Sequence, residues 1–114
     1  MTRPEAIDGA AACFGDGSVD VVAHASTTTG YVLGARSEAA LLKRLAAKCA
    51  VPVVGSAAAA ADALRACGAH RLVLVHPPWF DREIDRMGVC YFRDQGFDVT
   101  VLKATGLPRD PRKV

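Results

Sequence analysis

Four consecutive hydroxyl residues, Ser26, Thr27, Thr28 and Thr29, followed by Gly30, are the densest chemistry in the chain. Hydroxyls and backbone amides in such a run donate hydrogen bonds to an anion, and the glycine lets the backbone come close to it. A carboxylate fits that chemistry. An ordinary strand-to-helix turn has the same composition, so both readings stand at this point. His24 lies two residues before Ser26, and in an extended strand their side chains share one side, where imidazole could polarise the hydroxyl. The competing reading for a lone strand-end histidine is a hydrogen bond to nearby backbone, and no paired Asp completes a triad. The second concentration is His76-Pro77-Pro78-Trp79-Phe80. His76 ends an apolar run beside a rigid Pro-Pro turn, and Trp79 with Phe80 either wall a pocket or anchor the core.

Other chemistries lack their residues. Cys13, Cys49, Cys67 and Cys90 form no CxxC pair and no cluster with His, which removes a zinc ligand set and a thioredoxin-like motif, so no metal is expected. Each is read as a buried thiol, three of them at helix C-terminal ends. No GxGxxG or GxxxxGK[ST] is present, so a dinucleotide or P-loop function has no support. The 14 basic and 12 acidic residues are mixed along the chain, apart from a short tail at 108–113 read as a frayed terminus, and no nucleic-acid partner is expected. Apolar runs stay far below the ~18 residues of a membrane span, and no signal peptide opens the chain; the expected partners include no membrane and the expected location is cytoplasmic.

The elements that must position these residues follow from periodicity. With 114 residues, 51% of them hydrophobic and 23% charged, the composition is that of one globular α/β domain, 1–114, with a homo-oligomer as a fair default. Helical spacing runs over 4–14, where Pro4 starts the pattern and Gly15 ends it. It recurs after a Ser37 cap (Leu41, Leu42, Leu45, Cys49), over the alanine run from Ala57 to Cys67, and after an Asp81 cap (Ile84, Met87, Tyr91). Short β-branched stretches at 19–24, 51–54, 71–75 and 97–102 read as strands. The residues from Ala25 to Gly30 read as a loop. Strands separated by helices imply right-handed βαβ crossovers, hence a doubly wound, Rossmann-like parallel sheet of about four strands with helices on both faces. Ligands of such sheets bind beyond the strand C-termini, which points to the loops after His24, Val54, Val75 and Leu102. The small-residue stripe Ala57–Ala61 would let its helix approach a sheet or a second subunit closely.

Two stretches carry a resemblance. The run from Val21 to Gly34 resembles a strand and loop of the form A-C-T-S-G-S-F-x-x-G, and the stretch from Val51 through Val75 to Val99 resembles the segment that follows it. Both are similar to the aspartate/glutamate racemase superfamily, in its maleate cis-trans isomerase and arylmalonate decarboxylase branch. The resemblance implies a cofactor-independent site for a small dicarboxylate at the strand ends, with Ser26, Thr27 and Thr28 gripping a carboxylate; His76 and Trp79, from their own place after the third strand, are expected to join the binding set. It places Ser26 at the catalytic position where racemases and isomerases carry their first Cys. A serine hydroxyl has almost no anion at neutral pH without a base beside it. Decarboxylases of this branch also lack that first Cys; the second follows a strand beyond the end of this chain. Pro78 or Trp79 stands where some members place a tyrosine. The resemblance further implies a truncated or half-sized relative of a larger two-lobed fold. A catalytically inactive α/β binding or assembly module is the alternative.

Overall fold

The computed structural model describes residues 4–103, 110 and 112. The tail at 108–113 therefore lies outside the described residues except for Asp110 and Arg112, which form an ion pair at 2.9 Å. Helices α1 (Pro4–Ala12), α2 (Thr27–Leu33), α3 (Ala35–Cys49), α4 (Ser56–Ala66) and α5 (Arg82–Arg93) alternate with strands β1 (Val22–His24), β2 (Val53–Gly55), β3 (Arg71–His76) and β4 (Asp98–Lys103). The chain is α/β with parallel strands.

The strands form two separate pairs where one sheet of about four was expected: β1 with β2 and β3 with β4, each parallel. The register sets Val22 opposite Val53 in the first pair and Leu72 opposite Val99 in the second. Helices cover one face of each pair. Ala11, Leu41, Leu45 and Cys49 of α1 and α3 pack with Val22 and Val53 in one core. Tyr31, Ala57, Ala61, Leu72, Tyr91, Phe92, Phe97 and Val99 form another. Val54, on the opposite face to Val53, and Val73 and Val75, which alternate with buried Leu72, are exposed.

The largest local departure from expectation is α2. Thr27 to Thr29 belong to its first turn, because the Ser26 hydroxyl accepts the Thr29 N–H and caps a helix where a loop was expected. Gly34 then separates α2 from α3 with φ 77°, a conformation a glycine adopts without strain, so α3 begins two residues before Ser37 and Ser37 is not its cap. The Asp81 cap on α5 holds as expected, its carboxylate accepting the Ile84 N–H at 2.8 Å. Of the cysteines only Cys49 is buried; Cys13, Cys67 and Cys90 are exposed. Cys49 lies on the stripe of α3 that faces α1, where its thiol meets the Ala11 carbonyl at 3.3 Å. The other three fall on the solvent sides of their helix ends. No helix among the described residues is long and apolar enough to cross a membrane.

Candidate functional site

Strand β1 turns sharply at its end: the Ser26 N–H returns to the His24 carbonyl at 2.9 Å, which breaks the extended geometry that would keep the two side chains on one side. His24 Nδ1 is buried without a hydrogen-bond partner among the described residues. The Ser26 hydroxyl lies 2.7 Å from the Thr29 hydroxyl and accepts the Thr29 N–H at 3.3 Å, so Ser26 and Thr29 form one half-buried knot. Thr27 is exposed and Thr28 half-buried beside it. These two residues open the first helical turn, where backbone N–H groups have no intrahelical acceptor and a bound anion can supply one. Among the described residues no base is hydrogen-bonded to Ser26 Oγ.

A second assembly forms at the end of β3, and sequence reading found only its centre. His76, 5% exposed, receives Asp85 of α5 at Nδ1 (2.8 Å) and faces the Tyr31 hydroxyl of α2 at Nε2 (3.4 Å). An ionised carboxylate only accepts, so Nδ1 carries its hydrogen toward Asp85 and Nε2 of the neutral ring is the acceptor that faces Tyr31. Gly88 makes room for this contact: a Cβ there would stand 2.8 Å from the Tyr31 ring and 2.9 Å from His76. Phe80 lies tilted against the imidazole, ring centroids 5.3 Å apart, and packs against the core, whereas Trp79 is exposed. The two aromatic residues thus divide the roles proposed for them: Phe80 anchors, Trp79 faces outward.

Glu38 of α3, 1% exposed, accepts the Tyr91 hydroxyl at Oε2 at 2.5 Å, and its Oε1 has no hydrogen-bond partner among the described residues. Gly30 and Gly55 back onto this carboxylate, and a Cβ on either would come within 2.9 Å or less of it. Burial first, and the Glu38 carboxylate second, push the Tyr91 phenol well above its ordinary range; burial alone raises Tyr31. A cleft of about 290 Å³ between α2 and α5 is lined by Tyr31, Arg86, Met87, Cys90 and Tyr91, among others, and not by Ser26 to Thr28. No group of three or more His, Cys, Asp or Glu side chains among the described residues could hold a metal ion.

No protein-family model and no curated protein matches this sequence. Solved structures do. Arylmalonate decarboxylase superposes with a TM-score of 0.78 at 18% identity over 90% of this chain. The fold is Asp/Glu racemase-like. Maleate isomerase Iso from Pseudomonas putida S16 gives a TM-score of 0.75 at 25% identity over 90% of this chain, and a variant of it with maleate gives 0.78 at 27% over 90%. The chain spans less than half the length of these structures, from 42 to 46% of each.

Proposed function

We propose that the chain is a domain of the maleate isomerase and arylmalonate decarboxylase kind that binds a small dicarboxylate at the end of β1 without a cofactor. The observation that carries this reading is the fold shared with a maleate isomerase structure containing maleate, at 27% identity, with a run of hydroxyls after β1. Ser26 ends the strand and caps α2, which leaves Thr27 and Thr28, with their hydroxyls and first-turn amides, to take one carboxylate. His76, whose tautomer Asp85 fixes, is a group of the right chemistry to accept or return a proton at the end of β3. Trp79 offers an apolar wall to the substrate.

A second reading has one observation in its favour. Ser26 Oγ is engaged by Thr29 and, among the described residues, has no base bonded to it, so nothing there activates the hydroxyl as a nucleophile. On that ground the domain binds its ligand without turning it over. Calorimetric titration with maleate and with phenylmalonate, beside a Ser26→Ala/Thr27→Val double variant, tests the site. Binding lost in the variant is the expected result; equal affinity of both proteins removes the hydroxyl run from the site. Product analysis after incubation with each ligand separates the two readings.

A further inference from the structure

Strands β1 and β3 each pair with a single neighbour, so among the described residues each keeps one unpaired edge. Val22 donates its N–H to Pro52 across the paired edge of β1. Successive residues of a strand direct their backbone groups to opposite edges, and Ala23 therefore turns its N–H and C=O to the free side. Such an edge is a template for another strand. The sheet faces are equally incomplete: Val73 and Val75 are 58% and 64% exposed, Val21 and Val54 53% and 45%. The chain exposes 7618 Å², where a compact monomer of its mass shows roughly 6000 Å². Its radius of gyration is 15.6 Å, against about 13 Å for a compact chain of this length.

We propose that the chain is a homodimer in which β1 of each copy pairs, parallel, with β3 of the other. Each resulting sheet has four strands, β4 and β3 of one copy followed by β1 and β2 of the second. Handedness supports this order. Right-handed crossovers from β1 to β2 and from β3 to β4 run in opposite directions across the joined sheet, so α3 and α5 lie on opposite faces. The bare valine face of each pair then lies on the side where the other copy brings its helices. A two-fold arrangement closes both junctions and leaves neither β1 nor β3 with a free edge.

The strand order reverses between β1 of one copy and β3 of the other, and open α/β sheets bind their ligands at that point. Ser26, Thr27 and Thr28 of one copy would thus share a crevice with His76 of the second. This last clause rests on the carboxylate-site reading; the dimer does not.

Sedimentation equilibrium of the 114-residue chain, combined with residue-resolved amide exchange, tests the assembly. The expected results are twice the chain mass at micromolar concentration and a protected Ala23 amide. A Val73→Lys/Val75→Lys variant alters only side chains already exposed in the single chain; it should keep its helical circular dichroism, weaken dimerisation at least tenfold and lose the Ala23 protection. Ala23→Pro, which removes the free-edge donor, should weaken dimerisation as well, and Lys43→Glu on the outer side of α3 should not. A monomer at about 100 μM, or a dimer whose Ala23 amide exchanges freely, overturns the proposal. A dimer with the protected amide but no affinity for maleate upholds the assembly and removes only the ligand assignment.

Discussion

At the scale of single residues, Ser26 and Thr27 are adjacent yet have separable jobs. Ser26→Ala removes the α2 cap and should cost about 1 kcal/mol of stability, whereas Thr27→Val, at an exposed side chain, should leave the melting temperature nearly unchanged while abolishing carboxylate binding. Thermal denaturation beside titration checks both. The tyrosines make a different prediction. Tyr31 and Tyr91 are both raised above 10.0 by burial, Tyr91 also by Glu38. Their neutral forms therefore add stability that is fully present below pH 10 and is lost as pH rises through their folded values. Spectrophotometric titration should show the phenolate band emerging only above the ordinary tyrosine range, together with unfolding. Little of this was legible in the sequence. His76 drew notice by ending a strand before two prolines, but Asp85 reads as one more charge on an amphipathic helix until α5 lies against β3. Glu38 reads as a first-turn helix acid, and its burial depends on Tyr91, 53 residues further along.

At the scale of elements, α2 is held by close approach. A Cβ on Gly30 would stand 2.7 Å from the Ala57 Cβ and 2.9 Å from both Glu38 oxygens. The Ala57–Ala61 stripe of α4 thus serves contact with α2, one of the close approaches its small residues allow. Gly30→Ala should destabilise the chain by ~1–3 kcal/mol, measured by urea unfolding, and the loss should exceed that of an alanine at Gly9, where open space surrounds the site. Strand and helix identities were mostly readable because β-branched runs and 3.6-residue spacing act locally. The exception is instructive. Thr27 to Thr29 carry weak helix propensity, and α2 exists through its Ser26 cap, the Gly34 terminus and the burial of Gly30 and Tyr31. Only the last of these needs partners distant in sequence, and hydroxyl composition outweighed the cap signal. The sheet order is less legible for another reason: periodicity identifies strands, but it does not say which strands lie side by side, and the described residues show two parallel pairs.

At the scale of the whole molecule, the described residues form two cores. One is built from α1, α3, β1 and β2, the other from α2, α4, α5, β3 and β4. The Glu38–Tyr91 hydrogen bond joins α3 of the first to α5 of the second. Tyr91→Phe keeps the ring in its core but leaves a buried carboxylate without a donor, a loss of about 1–3 kcal/mol or more. Its effect should fall on the coupling between the halves as well as on total stability. In scanning calorimetry the parent chain should give one heat-absorption peak, and the variant a broadened or split one, with the smaller core melting first. The acid that links the halves would then help make them a single cooperative unit, so that one phenolic hydroxyl, present or absent, changes how many transitions the protein has.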